Sequence, residues 1–338
     1  MSKAYFKSSL LVVVALLLTI QLKSQDFHLS QFEAFPMYIN PALTGMRMDG
    51  DWNYRINANY KEQGTYLGVP YQTVALGWDI PLDNRFSFGQ YIIDNQGANS
   101  YFNTLNFMLS GSYHITKPSA DNHNQLSMGL QLGFMQSNMN SGSFTYDAQY
   151  DPLSTTGFNQ NIPSGETFVR TTVQSVDANF GILYKYVPEN KKFVPFLGAA
   201  LYHIVNPYTS FTGQSSSTPQ RISIYGGCYW TMSEDLRLFP KFLFMTQANV
   251  TELNIGADLY YTIQKTDYEP FISLNYRNDD AYIFGCGLKR KAYSFKLSYD
   301  MNSSYLRTYS LGKGGVEFSF IYTGKKANKP AERVIPRF

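Results

Sequence analysis

Four histidines, two cysteines and a few adjacent carboxylates are the groups in this 338-residue sequence best suited to catalysis or metal binding. His28, His114, His123 and His203 lack the close spacing by which one element offers several imidazoles to a metal ion. His203, within LYHIV, reads as a satisfied strand residue rather than a base. Asp279–Asp280 and Glu234–Asp235 are sequence neighbours in turns, where carboxylates are solvated rather than held apart across a reacting bond. No Gly-x-Ser-x-Gly, His-Glu-x-x-His or phosphate-loop pattern occurs. Cys228 falls on an apolar face with Ile222, Ile224 and Trp230, and Cys286 on another with Tyr282, Phe284 and Leu288, so no disulfide is expected. The sequence calls for no catalytic residue, cofactor or metal, and the reading is that the protein is not an enzyme. The net charge of +3 is small and spread out, which argues against nucleic acid as a partner.

More informative are isolated charges set into alternating stretches: Arg55, Arg237, Lys241, Lys296 and Glu317. In 72–80, Val74, Leu76, Trp78 and Ile80 share one face, while Thr73, Ala75, Gly77 and Asp79 share the other. In 293–300, Tyr293, Phe295, Leu297 and Tyr299 oppose Ser294, Lys296, Ser298 and Asp300. This period of two is that of a strand with an apolar and a polar face. A charge on a lipid-contacting face costs about 2–4 kcal/mol at the bilayer midplane. The five charged residues are therefore expected to face the lumen of a barrel, either packed and ion-paired or lining a channel.

The elements that must position them read as strands near 51–60, 71–80, 86–94, 103–115, 125–136, 172–186, 193–205, 220–231, 235–246, 252–262, 270–277, 281–289, 292–300 and 315–323. Trp52 and Tyr54 are placed on the apolar face of the first. Pro240, inside one of them, has no N–H for the ladder and predicts a local break in pairing. Short connections alternate with mostly longer ones, the longest near 137–171, as in barrels with short periplasmic turns and longer outer loops. Composition agrees. Aromatic residues make up 16% of the chain and charged residues also 16%, against about 25% charged in soluble domains. The fold class expected is all-β: a transmembrane antiparallel barrel of the outer-membrane type, with about fourteen strands over 51–323.

The ends set the compartment. Residues 1–24 carry Lys3 and Lys7, an apolar run of roughly 11 residues and a polar end, the layout of a secretory signal peptide. The run is too short for a spanning helix, which needs about 20 residues. Residues 324–338 form a basic tail with Lys325, Lys326, Lys329, Arg333 and Arg337. Both termini are expected on the periplasmic side of the outer membrane.

Between leader and barrel lies a segment, 25–50, containing SQFEAFPMYINPALTG at 30–45. Pro36 and Pro41 bar it from pairing as a strand. In water it would expose Phe32, Phe35, Met37 and Tyr38 together, the mark of a contact surface. With Pro36, Asn40 and Pro41 fixing its bends, it is expected to pack into the periplasmic mouth of the barrel, or else to dock on a periplasmic partner.

The pattern Gln25-Asp26, Ser30-Gln31-Phe32, Pro36, Asn40-Pro41-Ala42 and Gly45 resembles the PorP/SprF family of type IX secretion outer-membrane proteins. GWDIPL at 77–82, GLQLGFMQ at 129–136, FGILY at 180–184, FLGAALYHI at 196–204, LRLFPKFLF at 236–244, SLNYRNDDAYIFG at 273–285 and LSYDMNSSYL at 297–306 follow in the same order. The resemblance implies an outer-membrane barrel of the secretion and gliding machinery, without cofactor or catalytic residues. It also implies partners: outer-membrane lipid, a large adhesin-like cargo, and periplasmic or peptidoglycan-associated parts of the machine. The alternative left by the residues themselves is a porin-like solute channel.

Overall fold

The computed structural model describes residues 25–325 apart from 49, 68–69, 84, 98–100, 117–122 and 306. The expected signal peptide, and the tail beyond Lys325, lie outside the described residues.

Fourteen strands close into one antiparallel barrel: β1 (Tyr54–Gln63), β2 (Tyr71–Pro81), β3 (Phe86–Gly97), β4 (Phe102–His114), β5 (Asn124–Met139), β6 (Thr172–Tyr186), β7 (Phe193–Tyr202), β8 (Arg221–Thr231), β9 (Leu236–Gln247), β10 (Val250–Tyr261), β11 (Tyr268–Arg277), β12 (Ala281–Arg290), β13 (Tyr293–Asn302) and β14 (Lys313–Gly324). Each strand pairs with its sequence neighbours, and β1 pairs with β14 from Tyr54 opposite Gly324 to Glu62 opposite Val316. Closure leaves the described barrel without a free edge strand, the arrangement that satisfies strand backbone groups in hydrocarbon. Among the described residues no helix is long and apolar enough to cross a membrane.

One end of the barrel carries the start of β1, the end of β14 and mostly short turns; the other carries most of the longer connections together with the tight β9–β10 and β11–β12 turns. We call these the turn end and the loop end. Alternation works as the sequence requires. On β2, Val74 and Leu76 are exposed on the outer wall while Thr73, Ala75 and Asp79 are buried inside. On β13, Phe295, Leu297 and Tyr299 face outward while Lys296, Ser298 and Asp300 are buried. The outer apolar band matches lipid and the inner polar face matches a lumen.

Two local expectations change. The first strand begins at Tyr54 rather than 51, and Trp52 is buried, not part of the outer wall. Arg55 stacks 4.9 Å over its ring, and the Arg47 side chain donates to its carbonyl at 2.7 Å. A cation–π partner and a satisfied carbonyl hold Trp52 inside where alternation alone pointed outward. At Pro240 the β8–β9 register runs from Gly227 opposite Lys241 to Trp230 opposite Leu238 without pairs between, as the missing N–H demands. Cys228 on β8 and Cys286 on β12 are both free thiols.

The core lies inside the lumen. Leu29, Phe32, Phe35, Met37, Ile39, Ala42, Leu43 and Met46 of the N-terminal segment are buried against inward residues of the wall, among them Ala75, Ile93, Met108, Leu183 and Phe239.

Candidate functional site

The N-terminal segment threads the barrel. Phe32–Ala34 forms a 3-10 turn, Pro36–Ile39 one α-helical turn and Pro41–Leu43 a second 3-10 turn. Proline suits the first position of each of the last two, where no intrahelical N–H is needed. Asn40 caps the third: its side chain accepts from the Ala42 N–H at 2.9 Å. This run of single turns packs into the lumen against inward residues of the wall.

At the turn end, Arg55 of β1 and Asp79 of β2 form a two-pronged pair of 2.9 and 2.6 Å. The Gly45 N–H donates to the same carboxylate at 2.5 Å, and Arg55 donates to the Leu43 carbonyl at 3.2 Å. Gly45 has φ +64, a conformation that L side chains adopt reluctantly, and a side chain there would also collide with Ser87. Lys185 closes this end by donating to the Arg47 carbonyl at 2.7 Å.

In the middle, the wall is hollowed by glycine. Gly129 of β5 lies directly opposite Gly181 of β6, with Gly198 close by on β7. A Cβ at Gly129 would strike the Pro41 backbone, and one at Gly181 or Gly198 the Asn40 side chain. Asn40 sits in this hollow and donates to the carbonyls of Ile182 at 2.9 Å and Ala199 at 3.2 Å. Glycine is the residue that permits such an approach of one backbone to another. Met37 and Phe35 meet a similar bare patch at Gly77. Across the lumen, Glu33 contacts Lys241 at 2.8 Å and Lys296 at 2.5 Å, and both lysines also reach Asp258. Two positive and two negative charges thus offset one another where water is excluded, the condition for burying ions.

Nearer the loop end, Glu317 is fully buried and accepts from the N–H groups of Ser30 at 2.6 Å and Gln31 at 3.0 Å, and from Asn59 at 2.9 Å. Gln31 in turn donates to Ser298 and to the Glu317 carbonyl. The Ser30 hydroxyl donates to Asp300, which Arg277 holds at 2.9 Å.

At the loop end itself, Asp26 lies 2.8 Å from His203 and 2.9 Å from Arg221, and its N–H donates to Gln247. His203 contacts Asp177 through its other nitrogen at 2.9 Å. Burial works against a charged imidazole here, but the two carboxylates outweigh it and raise the His203 pKa to about 9. Burial likewise opposes the Asp26 carboxylate, yet His203 and Arg221 hold it below the ordinary range. Arg221 stacks over the rings of Tyr38 and Tyr202 at 4.5 and 4.2 Å and donates to the Tyr38 hydroxyl at 2.6 Å.

The segment therefore runs the whole length of the lumen rather than lodging at the mouth. Gln25 and Asp26 lie at the loop end, and Gly324 at the turn end, so the described ends of the chain sit at opposite ends of the barrel and not on one side. The irregular turns advance from β8 and β9 back to β1 because each wall layer supplies a partner: Arg221, Glu317, Lys241, the glycine hollow, then Asp79.

Each residue singled out from the sequence has a place in this arrangement. Phe32, Phe35, Pro36, Met37, Tyr38, Asn40 and Pro41 are all buried in the lumen. Arg55, Lys241, Lys296 and Glu317 point inward to meet them. Arg237 is inward too, near the turn end, where it pairs with Glu269 at 2.7 Å and stacks on Tyr260. His203 lies one residue past β7 with φ +57 and is an ion-pair partner, not a strand residue. The sequence reading places Asp79 and Asp258 only on polar strand faces, without a partner, and does not single out Gly129, Gly181, Gly198 and Arg221. Their signal is available: each occupies the inward parity of its strand.

A closed fourteen-strand barrel with its own N-terminal segment packed in the lumen is an outer-membrane type of fold. Residues 21–322 match the family described as type IX secretion system membrane protein PorP/SprF, and the chain belongs to that family. Among solved structures it is similar to the Ralstonia pickettii toluene transporter TbuX, with 11% identity, 86% of this chain and 93% of that one covered, and a TM-score of 0.50. It is also similar to the Pseudomonas putida toluene transporter TodX, with 10% identity, 90% and 96% covered, and a TM-score of 0.50. At these identities the likeness is one of fold: an outer-membrane barrel. No curated protein matches the chain.

Proposed function

We propose that the protein assists secretion or surface attachment of a large adhesin-like cargo and links it to periplasmic or peptidoglycan-associated parts of the type IX machine. Family membership supports the machine; the plug is the observation that carries the role. A lumen occupied by its own chain from one end toward the other suits a gate or anchoring component better than an open pore. In this reading the turn end is periplasmic, since short turns face the periplasm and longer loops the outside in such barrels. β14 then ends on the periplasmic side, and the plug brings Gln25 toward the outer surface. The reading assigns no catalytic step and no cofactor. Deleting the gene and profiling secreted and surface proteins tests it: adhesin-like cargo is expected to be lost from the surface, and normal display would refute the role. The porin-like alternative predicts conductance by the isolated protein, whereas the plugged lumen predicts little conductance until 25–45 is removed.

A further inference from the structure

A cavity of about 1110 Å³ remains at the loop end above the plug. Single small-molecule sites run to about 300–1,000 Å³, so the space suits an oligomer of small units. Its charged lining residues are Asp26, Asp177, His203 and Arg221, and these engage one another at 2.8–2.9 Å. A charged ligand would find these side-chain charges already engaged with one another, and would enter at the expense of its own hydration. The rest of the lining is of two kinds. Amides and hydroxyls such as Asn95, Asn106, Ser137, Thr209 and Gln214 both donate and accept hydrogen bonds. Among them stand ring surfaces, with Phe27 stacked on Tyr38 at 4.9 Å and Phe102 edge-on to Phe211 at 6.1 Å.

A wholly apolar ligand would strip water from the amides and hydroxyls without replacing it. A chain of hydroxyls with apolar ring faces answers both halves of the lining. The strand positions of this lining, such as Asn95, Asn106 and Ser137, lie within the paired ladder, so they offer a peptide side chains rather than a row of open backbone groups. From this lining we propose that the loop-end cavity is a binding site for an uncharged oligosaccharide. Its floor is the plug itself, through Gln25, Asp26, Phe27 and Tyr38, so an occupant would rest directly on the segment that fills the barrel.

The test uses the full processed chain, purified in an amine-oxide detergent because glycoside detergents would compete. Calorimetric titration is made with maltohexaose, cellohexaose and chitohexaose, with oligogalacturonate as the acidic comparison and a Gly-Ser-Asn hexapeptide as the peptide comparison. At least one neutral hexasaccharide is expected to bind, and Phe211→Ala to weaken it about tenfold, the scale of one lost aromatic contact. Gln214→Ala, in a loop outside the strands, is a second variant with no expected effect on folding; heat-modifiable migration on gels verifies the barrel in both. Failure of all three neutral oligosaccharides to bind would overturn the proposal. So would tighter binding of the acidic oligomer or the peptide, or affinity unchanged within twofold in both variants.

Discussion

Replacing Asn40 with alanine removes the contact that the glycine hollow is shaped to receive. Asn40 gives two hydrogen bonds, to Ile182 and Ala199, and accepts one, from Ala42. Net contributions of about 1 kcal/mol each, with the Ala42 N–H left buried and unpaired, sum to about 2–4 kcal/mol. The strands keep their own ladder, so the loss falls on seating of the plug rather than on closure of the barrel. A shift of that size raises the unseated population about 30- to 1000-fold. Hydrogen exchange read by mass spectrometry reports it, because the N–H groups of Tyr38, Asn40, Leu43 and Thr44 are bonded within the plug. Exchange over 36–46 is expected to accelerate by that factor while β5 and β6 stay protected. Asn40→Asp separates hydrogen bonding from volume: it keeps the size but sets carboxylate oxygen against two carbonyls, so exchange accelerates at least as much. Exchange within twofold of the parent in both variants would refute the idea that Asn40 pins the plug.

Gly129→Val leaves a residue that strands favour, yet its side chain meets the Pro41 backbone, so we expect the plug to unseat while the barrel keeps its heat-modifiable migration on gels. Arg55→Ala strands the fully buried Asp79 and is expected to destabilise by about 3–5 kcal/mol in thermal unfolding; adding Asp79→Ala should cost less than the two single losses combined. For pH, the His203 pKa is raised from 6.5 to about 9, so its pairing is complete below about pH 6.5 and fades as pH climbs through about 9. Exchange over 25–31 is therefore expected to rise between pH 8 and pH 10 beyond its intrinsic increase, and His203→Gln should abolish that excess.

The wall was legible in the sequence because two solvents write two faces. Lipid demands Val74, Leu76 and Phe295 on one parity, and the lumen admits Asp79, Lys241 and Lys296 on the other. All fourteen strands followed from that contrast, most ending within three residues of the positions expected. Trp52 escaped it because a cation–π contact, not membrane depth, decides where that ring lies. The plug was legible as apolar and non-strand, but not in its path. Its turns carry no period, and its partners, Glu317 and Arg221, are nearly 300 and 200 residues away in the chain. Glycines such as Gly129 and Gly181 read as weak strand positions until the approaching Asn40-Pro41 backbone gives their missing side chains a reason.

The account stands on the plug spanning the lumen, with residue 25 at the loop end. In a Cys228→Ser, Cys286→Ser background, Gln25→Cys can be paired with Gln220→Cys, which lines the same loop-end cavity, or with Arg85→Cys in a turn-end connection. A short thiol crosslinker, with the products mapped by mass spectrometry, is expected to join 25 to 220 and leave 25 and 85 unlinked. A link from 25 to 85, with none to 220, would put the segment at the turn-end mouth and contradict the account.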